Sequence, residues 1–94
     1  MDDYAQKLDV KGLKRHLIEK EGVPPMVVYE VEGQTSKNVM VYGHLDKQPY
    51  GEGWDADKHP IDPVVQDGWM YGRGGCDDGY AFFSTLLAIK LAQT

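Results

Sequence analysis

Apolar and polar positions change rhythm several times along this chain, and each rhythm predicts an element. Tyr4 and Leu8 stand one helical turn apart behind Asp2 and Asp3, either of which suits the cap of a short helix that stops before Gly12. Leu13 to Glu19 alternates, with Leu13, Arg15, Leu17 and Glu19 on one side and Lys14, His16 and Ile18 on the other. Both sides are mixed, which predicts a marginal or edge strand. Glu21-Gly22-Val23-Pro24-Pro25 reads as a break, because two prolines donate no ladder hydrogen bonds. Met26 to Val31 is rich in β-branched and aromatic residues and predicts a strand. Glu32 to Asn38 then reads as a polar connection of hairpin length into Val39–Gly43, whose apolar run suits a strand inside a sheet covered on both sides.

Gln48 to Pro63 mixes prolines, glycines and charges, and reads as an ordered loop anchored by Trp54. Val64-Val65-Gln66 and Trp69-Met70-Tyr71 flank Asp67-Gly68, a strong two-residue hairpin signal. From Gly79 to Ala92 the period turns helical. Phe83, Leu87 and Leu91 make one stripe and Phe82, Leu86 and Ile89 widen it, so this helix expects neighbours on more than one side. The sum is an α/β fold: a mixed, mainly parallel sheet flanked by helices, with functional side chains at the strand ends.

Composition narrows this. Ninety-four residues allow one small domain, which buries only about 60 to 65% of its unfolded surface and so has a thin core. A net charge of −5 without any Lys/Arg cluster argues against nucleic acid or an anionic membrane as partner. No apolar run has membrane-spanning length and the start Met1-Asp2-Asp3-Tyr4 is no signal peptide, so the expected location is cytoplasmic. Cys76 is the single cysteine, which leaves no internal disulfide.

The chemistry gathers in two stretches. Val39 to Gly43 delivers His44 and Asp46 where a sheet normally offers its ligands. Imidazole is a frequent metal ligand, and a carboxylate on its other nitrogen fixes its tautomer. After the glycine-rich turn Gly72 to Gly75 come Asp77 and Asp78. If His44 and Asp77 lie at the same end of one sheet, they supply one nitrogen and one oxygen. That is too few for a closed structural site but suits half of an open, hydrolytic one. The bland alternative leaves His44 at a strand end and the acids in solvated turns. Around them, Arg73 is expected to pair with Asp77 or Asp78 rather than face a substrate carboxylate. Cys76 is expected to be a small buried residue, His16 and His59 to be surface residues, and Trp54 to pin its loop. Gly72 to Gly75 is no phosphate cradle, since no lysine follows and two aspartates would repel the phosphate.

The run Val39-Met40-Val41-Tyr42-Gly43-His44-Leu45-Asp46-Lys47-Gln48-Pro49, then Gly53-Trp54, then Asp67-Gly68 and Gly72-Arg73-Gly74-Gly75-Cys76-Asp77-Asp78, resembles the amino-terminal half of the M20 metallopeptidases. Gln-Pro after the first motif and Asp-Asp closing the second most resemble the branch of cytosolic non-specific dipeptidases and carnosinases. The resemblance implies that 1–94 is part of a zinc-peptidase-like catalytic domain, truncated at both ends. It implies two divalent ions, zinc or in some members manganese, with His44 as a terminal ligand and Asp77 bridging. Asp46 is the catalytic carboxylate that orients His44, and the Asp77-Asp78 bond is expected to be cis. Small peptides are the implied substrates, cleaved by a metal-bound hydroxide, and a homodimer is allowed for the full-length protein. Two departures matter. A lysine usually follows the paired acids, where this chain has Gly79. The family's general-base glutamate and its other ligands fall outside these residues, so this piece alone is expected to be inactive. It would then serve as a weak metal-binding or protein-interaction module.

Overall fold

The computed structural model describes residues 1–94, which divide into two compact units. One comprises Met1–Met40 with Leu86–Thr94, the other Val41–Thr85. Helix α2, Tyr80–Ala92, contributes to both.

In the first unit, α1 spans Asp2–Leu8 and is followed by the strands β1, Leu13–Lys20, and β2, Val23–Val31. The amino-terminal cap is Met1 without a side-chain hydrogen bond, so Asp2 and Asp3 occupy the first turn instead of capping it. There they still favour the helix, as anions near its positive end. Asp9 closes α1 in the left-handed conformation.

β1 and β2 form an antiparallel hairpin running from Leu13↔Val31 to Lys20↔Val23. Glu21-Gly22 makes the turn, with Gly22 at φ 74°, a conformation that glycine adopts at no steric cost. This corrects two expectations. The break lies at Glu21-Gly22 alone, and β2 pairs backwards with β1 instead of forwards with Val39–Gly43. Pro24 and Pro25 are tolerated because the register slips between Ile18 and Lys20. Two residues there face one, a bulge that needs no proline N–H.

Asp2 ties α1 to this hairpin. It accepts from Arg15 Nε at 2.8 Å and from the Tyr29 hydroxyl. The far end of α2 is tied to the turn after α1 by a reciprocal pair. Lys11 N–H donates to Gln93 Oε1 at 2.9 Å, and Gln93 Nε2 donates to the Lys11 carbonyl at 2.8 Å. Lys90 Nζ adds a bond to the Asp9 carbonyl at 2.6 Å. The buried hydrophobic residues Ala5, Val10 and Leu86 all belong to this unit.

In the second unit, β3, Val64–Gln66, and β4, Trp69–Tyr71, form the expected hairpin over Asp67-Gly68. Both turn residues take positive φ, 52° and 81°, as the mirror-image turn of a tight hairpin requires. Trp54 does anchor its loop, donating from Nε1 to the Tyr50 carbonyl at 2.8 Å. Lys58 links the loop to the hairpin: its ammonium, on a side chain only 7% exposed, pairs with Asp57 and Gln66 and lies over the Tyr71 ring.

The helical and strand content is mixed as anticipated, but both sheets are two-stranded and antiparallel, not mainly parallel. The reason is local. Parallel neighbours need a crossover of a dozen or more residues, whereas each of these pairs is joined by a two-residue turn. Val39–Gly43, read as an interior strand, forms no strand here, and Val39 and Met40 are 90% and 92% exposed. No helix is long and apolar enough to cross a membrane.

Candidate functional site

His44, Asp46, Asp77 and Asp78 lie within the second unit. Gly43 makes the approach possible, since a Cβ there would come within 3.1 Å of Ala81 Cβ at the start of α2 and 3.6 Å of Asp78 Oδ2. With hydrogen in that place, the His44 N–H reaches Asp78 Oδ2 at 3.3 Å. Asp78 thereby holds the backbone of the histidine, and the Asp77-Asp78 peptide bond is cis.

The imidazole is held on both nitrogens. Nδ1 lies 3.2 Å from the Asp46 carbonyl and 3.2 Å from Asp46 Oδ1. A carbonyl oxygen only accepts, so Nδ1 carries the hydrogen and the neutral ring presents its lone pair at Nε2. That nitrogen faces Asp77 Oδ1 at 3.0 Å and Asp78 Oδ2 at 3.9 Å. The hydrogen bond to the Asp46 backbone raises the His44 pKa above its ordinary value. Desolvation opposes this, and the carboxylates of Asp46, Asp77 and Asp78 add to it.

A lone pair and a carboxylate cannot face each other at this distance without a cation between them. A proton on Nε2 serves, and so does a metal ion. Two donors bound tetrahedrally to zinc at about 2.0 to 2.2 Å lie roughly 3.3 to 3.6 Å apart, so the 3.0 Å observed need open by only a few tenths of an ångström to admit the ion. Asp78 Oδ1, buried and without a partner, is a further donor atom beside the pair. His44 and Asp77 therefore fit one edge of a divalent-ion site. No group of three or more His, Cys, Asp or Glu side chains is gathered into a ligating cluster. Asp46 sits on the opposite side of the ring, its side chain 94% exposed.

Other expectations change. Arg73 pairs with neither Asp77 nor Asp78. It donates from Nη2 to the Tyr50 carbonyl at 2.9 Å and lies over the Trp54 ring, while its Nε is buried without a partner. A carbonyl acceptor leaves no trace in a sequence, which is why the acids looked the better partners. Cys76 is exposed rather than buried, because it lies in an open turn. His16 and His59 are exposed as anticipated, near Glu30 at 3.1 Å and Asp62 at 3.8 Å respectively.

Lys47 was passed over. Its stem crosses Gly74, where a Cβ would fall 2.5 Å from both Cδ and Cε. Its Nζ lies 3.6 Å from where a Cβ on Gly79 would be. Gly79 is the position at which the resemblance leads one to expect a lysine, and that gap was the available signal.

A histidine and an aspartate brought together from distant stretches, with the imidazole tautomer set by the Asp46 backbone carbonyl and a second carboxylate beside it, form the donor chemistry of metal-dependent hydrolases. The chain belongs to peptidase family M20/M25/M40, whose sequence pattern it matches over residues 40–94. It is similar to an uncharacterized metallohydrolase of Methanocaldococcus jannaschii, with 30% identity over 93 residues, or 95% of this chain and 23% of that protein. It is also similar to two succinyl-diaminopimelate desuccinylases. That of Wolinella succinogenes is 35% identical over 75 residues, 80% of this chain and 20% of the relative. That of Nautilia profundicola is 34% identical over 84 residues, 89% and 22% respectively. The chain thus spans less than a quarter of the length of these curated relatives.

Proposed function

We propose that residues 1–94 are the amino-terminal part of the catalytic domain of a two-metal hydrolase that cleaves peptide or amide bonds in small carboxylated substrates. In this reading His44 is a terminal ligand of one ion and Asp77 the bridge between two. Asp46 is the carboxylate that orients the imidazole, beside the backbone carbonyl that keeps it in the ligating tautomer. Divalent ions, zinc or manganese, supply Lewis acidity toward a carbonyl and toward water. The chain's own residues do the positioning: Asp46 keeps the hydrogen on Nδ1, Asp78 fixes the His44 backbone, and Gly43 lets α2 bring both aspartates close. Val39–Gly43 would be a strand of the larger, parallel sheet of the whole domain.

The observation that carries the proposal is the 3.0 Å approach of His44 Nε2 to the carboxylate of Asp77. For the substrate, Gln48-Pro49 and Asp77-Asp78 favour a dipeptide, by likeness to the dipeptidase branch. The desuccinylase relatives favour an acylated amino acid. The test is a polypeptide in which residues 1–94 are continued by the remainder of the M. jannaschii relative, assayed with zinc or manganese on dipeptides and on N-succinyl amino acids. Turnover is expected, falling at least about a thousandfold in His44→Ala or Asp77→Ala and about 10- to 100-fold in Asp46→Ala. Full activity in either ligand variant sinks the assignment.

One observation favours a second reading, a non-catalytic interaction module. Val39 to Tyr42 is an apolar run left exposed. That reading predicts no turnover with any metal and an oligomer that grows with concentration, so a strict monomer in sedimentation counts against it.

A further inference from the structure

The second unit contains a cation that the ligand pair does not use. Lys47 follows Asp46 directly, and its side chain runs along the loop that carries the aspartates. Gly74, at φ 85°, is the shelf for its stem: any side chain there would overlap Cδ and Cε and would lie 3.3 Å from Nζ. Gly79, directly after Asp78, leaves open the space beside the ammonium, with only Leu45 Cδ2 and Lys47 Nζ near the position of an added Cβ, both at 3.6 Å. Two glycines in one loop thus make room for one lysine.

That lysine has no protein counter-ion. The cations in ion pairs are Arg15, His16, His44, Lys58 and His59, and Lys47 is absent from them despite Asp46, Asp77 and Asp78 nearby in the same unit. It also makes no hydrogen bond, unlike Lys58, whose ammonium donates to Asp57 and Gln66. An exposed ammonium without a protein partner, lying alongside this loop, suits an anionic oxygen supplied from outside.

We infer that Lys47 recognises a carboxylate of the substrate at the rim of the His44–Asp77 pair, which selects carboxylated amides over neutral ones. This rests on the hydrolase reading for the word substrate, but the anion site is open to test without turnover. The distinguishing feature is geometric: the charge need only be in that place, and either of two backbone positions can deliver it. A lysine at 79 would start from a Cβ 3.6 Å from where Nζ now lies.

The first arm uses the 94-residue chain with excess zinc and acetate as probe, following the Lys47 side-chain resonances and the Gly74 and Gly79 amides by NMR. A saturable shift with acetate and none with acetamide is expected. The apparent affinity should weaken about tenfold in Lys47→Gln, hold in Lys47→Arg, and recover in Lys47→Gln/Gly79→Lys. Absence of a saturable shift, or equal affinity in Lys47→Gln, overturns the inference. The second arm uses the extended polypeptide. Lys47→Gln should raise KM about tenfold for a free dipeptide while leaving that for its carboxy-amidated form unchanged, and the double variant should restore the difference. Equal effects on both substrates also overturn it. If acetate binds as expected but no form of the polypeptide hydrolyses anything, the hydrolase reading fails and the anion site stands.

Discussion

The two units of this small chain are held together by different means. The first has all the buried apolar residues, Ala5, Val10 and Leu86, and a long antiparallel ladder from Leu13 to Val31. The second has no buried residue and only the short β3–β4 ladder. It is shaped by polar side chains seated on backbone carbonyls or carboxamides: Trp54 and Arg73 on Tyr50, Lys58 on Gln66, with the His44 N–H on Asp78. Apolar burial is non-directional and tolerates some change of shape, whereas a hydrogen-bonded loop depends on the placement of particular atoms. The unit without a buried core is the one that holds the candidate site residues His44, Asp46, Asp77 and Asp78, in keeping with functional loops being drawn from the less stable parts of proteins.

That contrast can be broken at either end. The largest effect is expected from Leu86→Ala. Leu86 is 2% exposed and is the one large side chain in the buried set. Its truncation should cost about 2 to 5 kcal/mol, read as a fall in the denaturant midpoint; a change below 1 kcal/mol would mean the first unit has no working core. Next comes Arg73→Ala, which removes the seat on Tyr50 and the cover on Trp54. It should destabilise the second unit by about 1 to 3 kcal/mol, seen as faster amide exchange in residues 50–60 with β1 and β2 unaffected. Equal loss of protection in both units would erase the distinction between them.

A smaller effect, about 1 kcal/mol plus whatever the displacement of Lys47 adds, is expected for Gly74→Ala, where φ is 85°. The smallest concerns Asp2. Hydrogen bonds from Tyr29 and then Arg15 hold its carboxyl below the ordinary 3.8. Its folded value is depressed, so its contribution is present above the unfolded pKa and is lost as pH falls through the folded one. Thermal midpoints of the protein and Asp2→Asn should differ slightly at neutral pH and converge on acidification below about 3.8; a gap that widens in acid would contradict the sign.

The elements most legible in the sequence were those whose cause is local. Asp67-Gly68 demands a turn by its own backbone preferences, and the helix to Ala92 shows its period in its apolar residues. Pairing was less legible because it is a competition. Met26–Val31 had two candidate partners, and Glu21-Gly22 won by closing a tighter loop than Glu32–Asn38 can. Pro24 and Pro25 misled because a bulge, invisible in one strand alone, removed the demand for their missing N–H groups. At the site, the nearness of His44 and Asp77 was anticipated from two motifs. The acceptors of Arg73 and Trp54 were not, since every residue has a carbonyl and none advertises which will be used.

The unpaired run from Val39 to Tyr42 has a practical consequence. A β-prone, uncharged segment whose main-chain groups lack a ladder is a template for adding strands from other molecules. Lys37 on one side and Asp46 on the other are the nearest charged brakes on such growth. Concentrated solutions of the 94-residue chain should therefore thicken into fibres through this stretch before any other, and a charge introduced by Met40→Lys should delay them.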